Sequence, residues 1–199
     1  MRYFFSFFVI TLLVMSSCQS PNPQKEIKTV ILAAEEAEYN RCREYFPDIE
    51  CILVGVGAGN VIKTCCQLPE GTRVINIGYA GSNQLPIGTV VNVSKTYRLT
   101  DSTYQFNDHA NPLELQTEGY PCYSNNSFVT QSDITDPVLF DMELNYIASF
   151  TPRLNLIASI KIVSDNLSVD AFKNNALRES GILTCDSVWE EVAKLVKKL

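Results

Sequence analysis

Carboxylates at three places along this 199-residue chain are the side chains whose spacing could do chemistry. They are Glu35, Glu36 and Glu38, then Asp141 and Glu143 on either side of Met142, then Asp165 between Ser164 and Asn166. Asp165 stands just beyond the mostly apolar run Leu156 to Val163. A carboxylate at the end of a buried strand is costly unless it is partnered or used. It either caps the helix that follows, with Asn166 or Ser168 sharing that work, or it faces a ligand. Glu35 and Glu36 read as first-turn partners of a helix dipole. Glu143 shares a helical face with Ile147, although pattern alone would place it at the surface. The only histidine, His109, lies in the polar stretch Asp108 to Pro112 and reads as a solvated loop residue. No C-x-x-C pair occurs, so no zinc site is expected.

These residues must be carried by strands and helices in alternation. Thr29 to Ala33 reads as a strand, and Glu35 to Phe46 as a helix stopped by Pro47. Cys51 to Val56 reads as a buried strand running into Gly55-Val56-Gly57. Val61 to Leu68 is helical. Val74 to Ile77 is a β-branched run that stops at the glycine-rich corner Gly78 to Ser82, and Thr89 to Val93 is the next strand. Small residues at a strand end let a ligand approach the backbone. Asp101 to Asn126 reads as a long polar loop, and Phe128 to Gln131 as the sheet resuming. Asp136-Pro137 is expected to open a helix reaching Phe150. Leu154 to Val163 is a strand, Ser168 to Glu179 a helix, and Val188 to Leu199 an amphipathic final helix. This order predicts an α/β fold, three-layer α/β/α with a mixed twisted central sheet. Ligands in such sheets bind where strands end. Ala34, Gly55 to Gly57, Ala80, Gly81 and Asp165 should therefore lie near one another.

The chain's start is of another kind. Arg2, an apolar stretch from Phe4 to Met15, and Ser16-Ser17-Cys18 look like a lipoprotein signal sequence. Residues 1–17 would be removed and Cys18 lipidated, the alternative being an ordinary signal peptide. Residues 18–27 then form a tether, and 28–199 the domain. This places the protein in a bacterial cell envelope, lipid-anchored and facing the periplasm. The formal charge of −6 and the absence of a basic run argue against nucleic acid as a partner. A composition of 46% hydrophobic and 19% charged residues is that of a globular domain. Cys42, Cys51, Cys65 and Cys66 sit in apolar stretches and read as small core residues.

Taken in order, Ala34 to Glu38, Val74 to Ser82, Asp141-Met142-Glu143 and Ser164-Asp165 resemble the nucleoside phosphorylase superfamily. The likeness is strongest to its hydrolytic branch of methylthioadenosine/S-adenosylhomocysteine nucleosidase type. The resemblance implies a nucleoside phosphorylase-like fold and hydrolysis of the N-glycosidic bond of a purine nucleoside or related ribosyl compound. Glu38 would activate water and Asp165 would protonate the leaving base. Glu143 would hold the ribose hydroxyls over Met142. The substrate-binding set it implies is Ala34, Val56, Tyr79, Ala80, Gly81, Ile134, Asp141, Met142, Glu143, Lys161 and Ser164. It implies a small-molecule nucleoside as partner, a homodimer, and no metal or organic cofactor. Asn76 stands where phosphorylases carry a phosphate-binding Arg, which favours water as the nucleophile. The sequence departs from the pattern at Tyr79 (a family Ser), Lys161 (an Arg), Val169 (a Phe) and in a shortened segment after Asp165. Two alternatives remain: a non-catalytic nucleoside-binding lipoprotein and a phosphate-dependent phosphorylase.

Overall fold

The computed structural model describes residues 27–99, 112–177 and 181–199. The leader, Cys18, the tether up to residue 26, and His109 lie outside the described residues.

Among the described residues, eight strands form one mixed sheet. β1 (Thr29–Ala33), β2 (Glu50–Leu53), β3 (Arg73–Ser82) and β8 (Asn155–Asp165) run parallel to one another, with β1 between β2 and β3 and β8 beside β3. β4 (Val90–Arg98) pairs antiparallel with β8 and parallel with β6 (Tyr120–Ser124). β7 (Leu139–Asp141) pairs parallel with β6 and antiparallel with the end of β3. The pairings β3–β8–β4–β6–β7–β3 thus close a ring, while β1 and β2 extend the sheet and β5 (Leu113–Glu114) flanks β4.

Helices cover both faces, as the alternating order predicts. On one face α2 (Ala58–Gln67) and α3 (Leu144–Ala148) pack Val61, Cys65, Leu144 and Ile147 against Leu32, Val74 and Val163. On the other, α1 (Glu36–Tyr45), α4 (Val169–Asn175) and α5 (Asp186–Val196) meet Ile31, Ile75, Ile77, Ile160 and Ile162 through Cys42, Phe172, Val188, Trp189 and Val192. The two isoleucine pairs, 75/77 and 160/162, follow the period of two that points alternate side chains to one face.

Several expectations are corrected. β3 does not stop at Gly78. It continues through Gly81 to Ser82, because β8 pairs with it along that length. β2 is shorter than expected and half-exposed, since it is the edge strand and pairs with β1 alone. Phe128 to Gln131 is not a strand, and the sheet resumes earlier, at Tyr120 to Ser124. No helix opens at Asp136-Pro137. Leu139 is drawn between Cys122 of β6 and Ser82 of β3, so the apolar run Val138 to Phe140 becomes the strand that closes the ring. Only beyond it does the short α3 begin. Cys42, Cys65 and Cys122 are buried free thiols, but Cys66 is exposed, because α2 presents Cys65 inward and its neighbour outward, and Cys51 is half-buried on the edge strand β2.

Candidate active site

The carboxyl ends of β1, β2, β3 and β8 point the same way, as parallel strands must. Around them lies a cavity of about 100 Å³. Ala34, Val56, Ala80, Gly81 and Asp165 all line it, as the strand-end reading requires.

Glu38 is buried at 2% exposure and held by three backbone N–H groups. Its Oε2 accepts from Ala34 (2.8 Å) and Glu35 (2.9 Å), and its Oε1 from Tyr79 (2.6 Å). The Glu35 contact makes Glu38 one arm of the capping arrangement that starts α1. A carboxylate has about four acceptor positions, so Oε1 keeps one free. Burial pushes the Glu38 carboxyl above its ordinary range, while its three amide donors and the charge of Lys161 pull the other way. A Cβ on Gly78 would stand 3.1 Å from Glu38 Oε1, so the glycine makes room for the carboxylate.

Asp165 ends β8 at 1% exposure. Its Oδ2 accepts from the Ser164 hydroxyl at 2.7 Å, and its Oδ1 from the Ser168 N–H at 3.1 Å. Asp165 thus stands both at a helix entry and on the cavity wall. It steadies the entry to α4, which Ser168 caps through Ala171 N–H, and it faces the cavity. Burial raises its pKa, and the bonds from Ser164 and from backbone N–H groups oppose the rise. The shortened turn that follows puts Leu167 at φ 61°, a conformation unfavourable for a branched side chain. Asn166 pins the turn by donating to Ser82 and Leu85 carbonyls at 3.1 and 3.0 Å. Gly81 leaves the space into which Asp165 leans, since a Cβ there would lie 3.0 Å from Oδ1.

Asp141-Met142-Glu143 does not sit within a helix. Asp141 ends β7 and Glu143 is the residue at which α3 begins. Glu143 Oε1 accepts from Gly57 N–H at 2.8 Å, tying α3 to the start of α2. Burial and the nearby Asp141 charge push Glu143 up to about 8, against the pull of Lys161 and the Gly57 bond. Met142, Glu143, Asp141, Ser164 and Tyr79 line the cavity. The Tyr79 ring packs into the α1/α5 side of the core, and its N–H serves Glu38.

Two expected binding residues do not line the cavity. Lys161 is fully buried beneath it, with Nζ 2.8 Å from Asp141 Oδ2. Ile134 packs instead with Val129, Val138 and Phe140. The structure adds Ser127, Phe128, Val129, Phe140 and Phe172. The Phe128 and Phe172 rings meet at 5.7 Å, so Phe172 supplies an aromatic wall although Val169 replaces the expected Phe. Asn76 does not face the cavity as an anion ligand. It bridges strands, donating to Leu32 O at 3.3 Å and accepting from Ser159 Oγ at 2.9 Å. No Lys, Arg or His is among the described lining residues. No group of three or more His, Cys, Asp or Glu among the described residues could hold a metal ion.

No protein-family model matches the sequence, and no curated protein matches it. Solved structures do. The chain has the nucleoside phosphorylase-like fold. The Chlamydia trachomatis MTAN superposes with a TM-score of 0.68 at 20% identity, covering 86% of this chain and 98% of that one. The Helicobacter pylori 5'-methylthioadenosine/S-adenosyl homocysteine nucleosidase (MTAN) gives 0.64 at 13% identity, covering 87% and 99%. Futalosine hydrolase of Helicobacter pylori gives 0.64 at 14% identity, also covering 87% and 99%. The mixed sheet and its two helical faces are common to these nucleosidase-like structures, as the sequence resemblance implies.

Proposed function

We propose that this chain hydrolyses the N-glycosidic bond of a purine nucleoside or related ribosyl compound. The observation that carries this reading is a pair of buried carboxylates, Glu38 and Asp165, both lining one cavity and both pushed above their ordinary range. Glu38 Oε1 takes a proton from water as the water oxygen attacks the anomeric carbon. The electron pair of the C–N bond passes to the base, and Asp165 delivers its proton to the base nitrogen. A raised pKa suits both tasks near neutral pH. Glu143 accepts from the ribose hydroxyls. Phe128 and Phe172 give the base an aromatic wall. An aspartate-to-asparagine variant of Helicobacter pylori MTAN holds 5'-methylthioadenosine in its active site, a ligand of the class proposed here.

Water is the nucleophile in this reading because the described lining residues offer a phosphate dianion no cation. A panel of purine nucleosides, incubated with and without phosphate, tests it. Base release independent of phosphate is expected. Binding without release would make the chain a nucleoside-binding protein, and release only with phosphate would make it a phosphorylase.

Ser16-Ser17-Cys18 supports lipidation at Cys18 and a place in a bacterial envelope, which mass spectrometry of the membrane fraction tests. A homodimer would cover Leu53, Val56 and Ile62, apolar side chains 40% to 46% exposed. Sedimentation of the soluble domain tests that assembly.

A further inference from the structure

The start of α3 carries an inversion of the usual capping arrangement. A residue at the head of a helix ordinarily turns its own side chain back onto the first free amides. Glu143 does not. Leu144 N–H donates instead to Asp141 Oδ2 at 2.9 Å, and Asn145 N–H to Ser124 Oγ at 2.9 Å. The Ser124 hydroxyl in turn donates to Asp141 Oδ1 at 2.5 Å. Strands β6 and β7 thereby satisfy the helix, and the Glu143 carboxylate is left to reach Gly57 and the cavity.

Asp141 does this with both oxygens engaged, and its side chain has no exposure to water. Lys161 supplies the counter-charge from β8 at 2.8 Å. Such a buried pair is rarely retained for stability, since apolar replacements are often as stable. Asp141 reaches the cavity wall beside Glu143, whereas Lys161 does not line the cavity and is not placed to touch a ligand.

We propose that Asp141 and Lys161 are a positioning pair for Glu143, relieving it of capping α3 so that its carboxylate serves the ribose hydroxyls. This rests on the reading of Glu143 as the ribose-binding residue. The pair also sets the field there, because Glu143 faces Asp141 of β7, Lys161 of β8 and Glu38 of α1, with Cys122 of β6 beside the pair.

The test is calorimetric binding of 5'-methylthioadenosine and of its 2'-deoxy counterpart, in a Glu38→Gln background so that binding is read without turnover. The intact pair should favour the ribo form by about tenfold to hundredfold, the worth of a hydrogen bond to a charged group. Asp141→Ala with Lys161→Met removes both charges together and avoids leaving one buried alone. That variant should bind the two ligands alike, the loss falling on the ribo form. Ser124→Ala keeps the ion pair and should erode the preference part-way, and Lys161→Arg, which keeps the counter-charge, should retain it. Retained preference in the folded double variant, checked by its thermal transition, would overturn the positioning role. Equal binding by the unaltered pair would overturn it together with the ribose reading. Preference without base release in the native protein would leave the positioning role standing and remove the hydrolase.

Discussion

Glu38 and Asp165 are both buried carboxylates, yet their oxygens are committed differently. Glu38 is gripped by three backbone amides alone, whereas Asp165 is held by the Ser164 hydroxyl as well as by backbone amides of Leu167 and Ser168. Glu38→Gln replaces one acceptor oxygen with an NH2 group, which must then oppose an N–H donor. The variant should lose base release and also show a lower thermal transition, by roughly 1–3 kcal/mol of stability for the unmade bond. Asp165→Asn can keep the acceptor for Ser168 and should fold normally. It should slow base release by roughly 10²-fold or more, the usual scale for a general acid. Its rate should also lack the decline expected of the native protein as pH rises through the raised pKa of Asp165. Absorbance assays of base release across pH, beside thermal melts, check all of these outcomes. A Glu38→Gln protein with native turnover would shift the base to Glu35, the other first-helix carboxylate lining the cavity. At this scale the sequence was informative wherever a polar group interrupted an apolar strand end. Asp165 stood out on that ground alone. Phe140 and Phe172 gave no such signal, because an aromatic in an apolar run looks the same whether it faces the core or a ligand.

Strands with a partner on each side were legible, while the elements settled by the closing of the ring were not. β1, β3 and β8 are β-branched runs bounded by turn residues, and their burial follows from that pattern. The segment from residue 126 to 150 defeated local reading. Asp136-Pro137 carries a helix-opening signal, but pairing of Leu139 with Ser82 and Cys122 outweighs it. Tertiary pairing routinely overrides propensity in this way. Capping of α3 from β6 and β7 was invisible for the same reason, since Ser124 and Asp141 meet only once the ring closes. β3 likewise hid its function in its glycines, which the sequence presents as a corner and the structure as close approaches. Gly81→Ala is expected to place a Cβ 3.0 Å from Asp165 Oδ1 and push that carboxylate aside. Gly81 has no positive φ, so the strand itself should tolerate the change. Base release should fall by about tenfold or more with little movement of the thermal transition, because small misplacements of reacting groups are costly to rate. A variant that melts early would instead mark Gly81 as a structural glycine.

Across the whole molecule the site acts on stability as well as on chemistry. Glu143, Glu38 and Asp165 all have folded-state pKa values above their ordinary ones, with burial as the leading cause. An acid whose folded pKa is raised holds its proton in the native state at a pH where the unfolded chain has released it. The native protein then binds more protons than the unfolded chain, and stability falls as pH rises through that window. For Glu143 the window runs from its ordinary 4.5 to about 8. Glu38 and Asp165 add to the fall with the same sign. The fold should therefore be most stable on the acid side of neutrality and weaken toward pH 8 and 9. Glu143→Gln removes one member of this set while keeping an acceptor for Gly57 N–H. It should melt closer to the native protein at pH 5 and distinctly above it at pH 8.5, with the difference between the two proteins growing over that interval. Thermal melts of both proteins across this range measure the effect directly. If the two curves stayed parallel, Glu143 would be ionised throughout, and the Lys161 charge beneath it would be holding two carboxylates instead of one. The same substitution should weaken ribose recognition at every pH, so a gain in stability at pH 8.5 beside a loss in binding would show what the buried charge is kept for.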